Sequence, residues 1–144
     1  MNDGLALIAV TGSRTYPYRE RLEDTLLDVW HDALQIGYTG IEVMQGCAEG
    51  ADTMADEWAK ANGLGRRPKP ADWEGPCPPQ CPPGHRRINR RGIEFCPLAG
   101  HRRNQDIVDE GPLLLVAAHY KASTGTADCI RRAERAGIPV WRVP

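Results

Sequence analysis

Four residues with metal-binding side chains lie close together in the middle of the chain. They occur as Cys77-Pro-Pro-Gln-Cys81-Pro-Pro-Gly-His85, followed by Cys96, a spacing close to that of a zinc knuckle. Three thiolates and one imidazole complete a tetrahedral zinc site without an open position for water, so the predicted zinc is structural. His101 is a spare imidazole that could replace His85. A loop without metal and a disulfide are the alternatives, and a reducing compartment disfavours the disulfide.

Three glycine-rich turns are the second group of residues that could do chemistry. The first is Thr11-Gly-Ser-Arg14, the second runs from Gly46 through Gly50 to Asp52, and the third is Ser123-Thr-Gly-Thr126. Each follows a predicted strand and precedes a predicted helix, whose N-terminus offers free backbone N–H groups and a positive dipole end. Phosphate groups bind at such places. We therefore expect the three turns to meet and form one anion-binding cleft.

Five short segments read as strands and must position these turns. They are residues 5–10, 41–44, 64–68, 113–118 and 139–143. The first and fourth are almost wholly apolar, which is typical of strands buried on both faces of a parallel sheet. The prolines and arginines around residues 64–68 place that strand at an edge. We expect the strand order 3-2-1-4-5, in which strands 1 and 4 lie side by side where the winding reverses and ligands bind.

Helical periodicity fills the segments between the strands. Pro17 suits the first turn of a helix, and apolar residues then recur at helical spacing at Leu22, Leu26, Val29, Trp30, Ala33 and Leu34. Further helices are predicted over 51–62, over 100–110 and from the third turn to Gly137. Strands that alternate with helices indicate an α/β fold with a parallel sheet. Residues 74–98 are rich in proline and lack periodicity, so they read as a Cys/His-rich loop inserted into a single domain spanning residues 1–144.

Composition describes a globular protein with an uneven charge distribution. Of the 144 residues, 41% are hydrophobic, and the formal net charge is −1. Between residues 64 and 104, nine basic residues face three acidic ones, so this part either favours anionic partners or forms a solvated loop. No apolar run reaches transmembrane length, and we expect a cytoplasmic protein without membrane contact. Cys47 and Cys129, outside the cluster, are expected to be small packing residues.

Five short motifs in order resemble the SLOG superfamily, and more narrowly its small YspA-type members, which are often found in actinobacteria and their phages. They are Thr-Gly-Ser-Arg (11–14), Gly-x-Ala-x-Gly-Ala-Asp (46–52), Pro-Ala-Asp-Trp (70–73), Arg-Asn (103–104) and Ser-x-Gly-Thr (123–126). The resemblance covers nearly the whole chain except residues 74–98. It implies a Rossmann-like fold that binds a nucleotide or a nucleotide-derived ligand, and it suggests a homodimer by analogy.

The resemblance also implies a set of ligand-binding residues. They are Gly12, Ser13, Arg14, Gly46, Gly50, Asp52, Arg103, Asn104, Ser123, Gly125 and Thr126. In this set, backbone N–H groups and arginines would hold phosphate oxygens, and hydroxyl groups would donate to them. Asp52 would accept from a ribose hydroxyl. Three of these side chains have plainer alternatives: Ser123 as a helix N-cap, Asp52 as a complement to a helix dipole, and Arg14 as a surface ion-pair partner.

Three functions remain open on the sequence. The first is binding or sensing of a nucleotide-derived ligand. The second is cleavage of an N-glycosidic bond, as in the phosphoribohydrolases of the superfamily, but Cys129 stands where those enzymes carry a glutamate. Asp128, one position earlier, or Glu49 could supply the acid instead. The third is nucleic-acid binding through the arginines of the predicted zinc loop.

Overall fold

Seven strands and four helices make up the computed structural model, which describes residues 4–144. The helices are α1 (Arg19–Gln35), α2 (Ala51–Ala61), α3 (Ala99–Asp109) and α4 (Thr124–Arg135). The strands are β1 (Leu5–Gly12), β2 (Gly40–Gln45), β3 (Gly65–Pro68), β4 (Arg87–Ile88), β5 (Glu94–Phe95), β6 (Leu114–Ala118) and β7 (Val140–Arg142).

Five of the strands form one parallel sheet in the order β3-β2-β1-β6-β7. Because β6 and β7 are the predicted fourth and fifth strands, the predicted order 3-2-1-4-5 and the Rossmann-like α/β fold are confirmed. Strands β1 and β6 are neighbours, with Val10 opposite Val116 and Gly12 opposite Ala118. The turns that follow these two strands therefore leave the sheet side by side.

Alternate residues of β1 fill two different hydrophobic cores. Ile8 and Val10 pack on one face of the sheet with residues of α1 and α2, whereas Ala9 packs on the other face with residues of α3 and α4. Burial on both faces explains why β1 and β6 are apolar throughout. The two helical layers hold the ends of the central strands in fixed positions.

Helices α2, α3 and α4 begin and end within two residues of their predicted bounds, and in α1 one of the apolar residues at helical spacing does not face the core. Leu34 in α1 is 45% exposed, whereas Leu22, Leu26 and Ala33 are buried. Successive helical residues are about 100° apart, so Leu34 turns away from the sheet once Ala33 faces it.

Residues 74–98 lie between β3 and α3 and contain a small antiparallel hairpin that periodicity did not predict. Arg87 pairs with Phe95, and Ile88 pairs with Glu94. The Asn89 side chain closes the turn by accepting hydrogen bonds from two backbone N–H groups of residues 91 and 93. Two-residue strands are too short to show alternation, which explains why the sequence pattern missed them.

Candidate functional site

A cleft of about 440 Å³ opens at the carboxyl ends of the central strands. All three glycine-rich turns line it, together with the first half of α3. The predicted ligand-binding residues at its wall are Gly12, Ser13, Arg14, Gly46, Asp52, Arg103, Asn104, Ser123, Gly125 and Thr126. Gly50 is the predicted residue that does not line it. The expected meeting of three distant loops at one edge of the sheet is therefore present.

Two of the glycines hold the turns together. Gly50 has φ of +74°, and a Cβ atom there would collide with the backbone of Ser13 and Arg14. A Cβ atom on Gly12 would collide with Ala51 at the start of α2. Gly125 differs, because a Cβ atom there would meet nothing within 4 Å. The first two glycines thus allow close backbone packing, and only the third faces open space.

Several predicted hydroxyl donors are already hydrogen-bonded within the protein. The Ser13 Oγ donates to the Tyr120 carbonyl oxygen, and the Tyr120 N–H donates back to Ser13 Oγ, both at 2.8 Å. Ser123 is the N-cap of α4, accepting from the N–H and from the hydroxyl of Thr126. These side chains join the first and third turns and shape the cleft wall, and direct ligand contact through them stays a prediction.

Asp52 has one bonded and one unbonded carboxylate oxygen. Its Oδ2 accepts from the N–H groups of Gly46 and Ala48 at 3.1 and 3.2 Å, so the carboxylate fixes the second turn. Its Oδ1 is buried without a hydrogen-bond partner among the described residues. Burial raises the pKa of Asp52 to about 6, in spite of the opposing effect of those two N–H groups and of Arg103. A buried acceptor without a partner is costly unless a donor arrives.

The predicted arginines have different surroundings. Arg103 donates to the Gly46 carbonyl oxygen and, through Nε, to Asn104 Oδ1 at 3.1 Å. Asn104 in turn donates to the Gly125 carbonyl oxygen and to Asp128 Oδ2. Arg103 and Asn104 therefore brace the second turn against the third. A Cβ atom on Gly46 would meet the Arg103 guanidinium, the flexible end of that side chain, which would then have to shift.

Arg14 lies at the same cleft but contacts an aromatic ring. Its Cζ is 5.8 Å from the centroid of the Trp73 ring, within the range of a cation–π contact. Trp73, Tyr120 and Lys121 also line the cleft and were not among the predicted ligand residues. Trp73 closes the Pro-Ala-Asp-Trp motif, and Tyr120 follows a buried strand, so both carried a usable signal. With Arg14, Arg103 and Lys121 against Asp52, the charged side chains at the wall favour an anion.

The four predicted metal ligands converge in the inserted segment. One donor atom each from Cys77, Cys81, His85 and Cys96 lies within 4.8 Å of all the others. His85 Nε2 is 3.2 Å from both the Cys77 and the Cys96 sulfur, and the Cys81 and Cys96 sulfurs are 3.9 Å apart. These separations approach the roughly 3.7 Å edge of a tetrahedron with zinc–sulfur bonds. The group is a possible metal-binding site, and His101 lies in the cleft wall instead.

Groups around this cluster favour the binding of a metal cation. The His85 Nδ1 donates to the Pro82 carbonyl oxygen at 2.7 Å, which leaves the lone pair of Nε2 free to bind a metal ion. Arg102 donates to the sulfurs of Cys81 and Cys96. Burial raises the pKa of Cys96, but hydrogen bonds from Arg102, from backbone and from His85 lower it to about 6. The donor set therefore fits a thiophilic metal such as zinc.

The remaining cysteines differ from each other. Cys129 is fully buried, as expected of a packing residue. The same prediction is wrong for Cys47, which is exposed and has φ of +62°. It lies in the second turn, whose backbone is held by Asp52 and by the Gln45 side chain. Loop geometry, not a packing site, determines its position.

Comparison with known proteins identifies the family. A sequence model described as the YspA, cpYpsA-related SLOG family matches residues 7–75. The gene 61 protein of Mycobacterium phage D29 is 33% identical over 138 residues, and the match covers 92% of each chain. The chain belongs to the YspA and cpYpsA-related SLOG family. The family match contains the first two turns and Trp73, whereas the four metal-ligand candidates, the third turn and helices α3 and α4 lie beyond it.

Two solved structures share the fold of this SLOG protein. DNA processing protein A from Streptococcus pneumoniae superposes with a TM-score of 0.70 at 19% identity, over 97% of this chain and 50% of that one. TM1055 superposes with a TM-score of 0.57 at 18% identity, over 94% and 72%. This chain thus spans half the length of the Streptococcus protein. The shared Rossmannoid fold is compatible with nucleotide or DNA binding. Each helix that the structure describes is too short or too polar to pass through a lipid bilayer.

Proposed function

We propose that this SLOG protein binds a nucleotide or a nucleotide-derived ligand in the cleft at the carboxyl edge of the sheet. The convergence of the three turns on one cleft carries the proposal. A volume of about 440 Å³ suits a small organic ligand, and a position where the winding of the sheet reverses is a common nucleotide site. Cationic side chains at the wall suit a phosphate group.

The cleft offers distinct partners for two parts of such a ligand. The N-terminus of α4 presents the backbone N–H groups of Thr124 and Gly125, and residues of a first helical turn have no partner within their own helix. Together with Arg14, they would hold the phosphate. The unbonded Oδ1 of Asp52 would accept a hydrogen bond from a ribose hydroxyl. The last contact would also relieve the cost of leaving that oxygen without a donor.

Isothermal titration calorimetry with AMP, GMP, CMP and UMP tests the proposal. At least one of the four should bind saturably, and Arg14→Ala should weaken that binding about ten-fold or more, because a charge-assisted contact is lost. Arg135→Ala is the matched control, since Arg135 is exposed in the last turn of α4. Absence of binding for all four nucleotides, or an equal loss in both variants, would contradict the proposal.

Cleavage of the bound nucleotide is a second candidate, and Asp52 is the observation that favours it. Glu49 is exposed, and the Asp128 carboxylate pairs with Arg132 at 2.8 Å and with Asn104. Asp52 instead lines the cleft with a pKa raised to about 6 by burial, which suits proton transfer near neutral pH. The test is a long incubation of protein with nucleotide, followed by chromatography. Release of free base by the wild-type protein but not by Asp52→Asn supports turnover, and intact nucleotide supports binding alone.

Nucleic-acid contact is a third candidate, favoured by the tip of the β4–β5 hairpin. Arg90 and Arg91 at the tip and Arg87 in β4 are exposed and take part in none of the ion pairs of the described residues. The structural neighbour from Streptococcus is named for DNA processing. Fluorescence anisotropy with a labelled single-stranded oligonucleotide tests this candidate. Binding that weakens with salt and in the double variant Arg90→Ala, Arg91→Ala would support it.

For the inserted segment, we propose a structural zinc ion held by Cys77, Cys81, His85 and Cys96. Residues 74–98 would then be a metal-stapled insertion in a single domain, and a reducing, cytoplasmic compartment would keep the thiols available. Metal analysis of the purified protein should find about one zinc per chain, lost in Cys81→Ser and retained in Cys47→Ser. A folded wild-type protein without metal would contradict the assignment.

A further inference from the structure

Trp73 has the largest aromatic side chain among the residues that line the cleft, and neither the phosphate nor the ribose contact proposed above uses it. We infer that Trp73 recognises the base of the ligand by stacking, and that the metal-binding segment holds its ring in place. The inference rests on the proposed nucleotide function and makes it more specific. Stacking on an indole is favourable for every nucleobase because each presents a π-face.

The Trp73 ring is fixed by the segment that follows it. The backbone carbonyl oxygen of Trp73 accepts a hydrogen bond from the backbone N–H of Cys96 at 2.8 Å, so a candidate metal ligand anchors the backbone that carries the ring. The Phe95 ring packs edge-on against the indole at a centroid distance of 6.4 Å. A Cβ atom on Gly100 would come within 2.9 Å of the indole Cη2, so the glycine at the start of α3 makes room for the ring edge.

Arg86 ties the residues just after Trp73 to the same cluster. Its guanidinium donates to the carbonyl oxygens of Glu74 and Gly75 and also to the sulfur of Cys77 at 2.9 Å. The backbone on the carboxyl side of the indole is thus bound to a metal-ligand candidate by side-chain contacts. Loss of the metal would release both this anchor and the one at Cys96.

The positions of Arg14 and Trp73 separate the two halves of the ligand. Arg14 reaches the indole from the first turn, at 5.8 Å from the ring centroid. A phosphate held near Arg14 and α4 would place the attached nucleoside beside the Trp73 ring. Tyr120 is the competing aromatic residue, but two rings, those of Tyr16 and Tyr18, pack edge-on against it, whereas Phe95 is the one ring that contacts Trp73 among the described residues.

Paired calorimetric titrations test the inference with the tightest nucleoside monophosphate of the four and with ribose 5-phosphate, which lacks a base. Trp73→Ala should weaken nucleotide binding by roughly 5- to 150-fold and leave ribose 5-phosphate within about two-fold. Trp73→Phe should recover part of the nucleotide affinity, because it keeps a ring. Arg14→Ala should weaken both ligands. Unchanged nucleotide binding in Trp73→Ala, or a base-specific loss in Tyr120→Ala instead, overturns the inference while the proposed function stands.

Titrations after removal of the metal test the second part of the inference, that the metal-binding segment holds the Trp73 ring in place. Chelation of the wild-type protein should weaken nucleotide binding by about the same factor as Trp73→Ala, and chelation of Trp73→Ala should add little, since both changes remove one contact. Additive losses would overturn the role of the metal in holding the ring. Far-UV circular dichroism of each sample checks that the sheet remains folded. If the wild-type protein binds none of the four nucleotides, the proposed function fails, and the inference fails with it.

Discussion

The parallel sheet and the inserted segment 74–98 are ordered by different forces. In the sheet, Ile8 and Val116 are fully buried and packed between helical layers. In the inserted segment, all of which the structure describes, Cys96 is the one fully buried residue. Order in the first region follows from apolar burial, whereas order in the second depends on sulfur, imidazole and guanidinium contacts around a metal-ligand cluster.

Residues of both regions line the cleft, so the different origins of order in the two regions bear on function. The three turns rise from strands and helices with a large core, so the phosphate side of the cleft is rigid. Trp73 immediately precedes the inserted segment and Pro97 lies near its end, so the opposite side of the cleft depends on the metal-ligand cluster. A site built in this way can lose one wall without unfolding. The following experiments test how independent the two regions are, beginning with the largest expected effect.

Removal of the metal should disorder the inserted segment and spare the sheet. In Cys81→Ser or after chelation, amide hydrogen exchange in the β4–β5 hairpin should accelerate by about 100-fold or more, because a structural zinc ion supplies much of the folding free energy of a small metal-bound unit. Amides of β1 should keep their protection. Cys47→Ser is the control, since Cys47 is exposed and outside the cluster. Equal exchange with and without metal would show that the segment is ordered by its own packing.

Truncation of a core residue should have a large effect in the sheet region only. Leu22 is fully buried against the sheet, so Leu22→Ala should lower the free energy of unfolding by about 2–5 kcal/mol. Ile88 in the hairpin is 70% exposed, and Ile88→Ala should change it by less than about 0.5 kcal/mol. Urea denaturation measures both. A comparable loss in Ile88→Ala would mean that the hairpin contributes to a packed core.

The Asp52 carboxyl should make the sheet region less stable as pH rises. Its pKa is about 6 in the folded chain against 3.8 for an ordinary aspartate, so the folded state binds the proton more tightly. The stabilisation is present below pH 3.8 and is lost as pH rises to about 6. It amounts to at most about 3 kcal/mol. Asp52→Asn should therefore gain stability relative to wild type between pH 4 and pH 7 in urea titrations. A difference in the free energy of unfolding that stays constant between pH 4 and pH 7 would contradict the raised pKa.

A methyl group at Gly12 should disturb the junction between β1 and α2. Because the added Cβ atom would collide with Ala51 and press on the Ala118 backbone, Gly12→Ala should cost about 1–3 kcal/mol. Gly125→Ala is the matched substitution, and it should leave stability nearly unchanged because its Cβ atom would meet nothing within 4 Å. Thermal unfolding distinguishes the two. A larger loss at Gly125 would show that the third turn is packed more tightly than the first.

The sequence predicted most of the parallel sheet, but in the inserted segment it predicted only the four metal-ligand candidates. Burial of β1 and β6 on both faces leaves continuous apolar runs, so the strand order and the position of the cleft followed from pattern alone. The roles of Ser13 and Arg103 did not follow, because their partners, Tyr120 and Gly46, are 107 and 57 residues away in the chain. A polar side chain that could bind a ligand can equally hydrogen-bond to a neighbouring loop, and only the three-dimensional structure distinguishes these two roles.

The inserted segment shows the opposite balance. Cysteine and histidine spacing identified its four metal-ligand candidates, yet the hairpin between His85 and Cys96 and the anchoring of Trp73 gave no periodic signal. Short strands held by side-chain contacts leave no hydrophobic repeat to read. The most useful missed residue, Trp73, stood in a motif that was noted for its resemblance alone.

An NMR titration of ¹⁵N-labelled protein with the tightest nucleoside monophosphate tests the central claim most directly. If the three turns form one anion site, backbone amide signals of Arg14, Gly46 and Gly125, one from each turn, should shift together and follow a single dissociation constant. Signals of the hairpin tip at Arg90 and Arg91 should stay in place. Shifts confined to the hairpin tip, or shifts in one turn without the other two, would contradict a common site at the edge of the sheet.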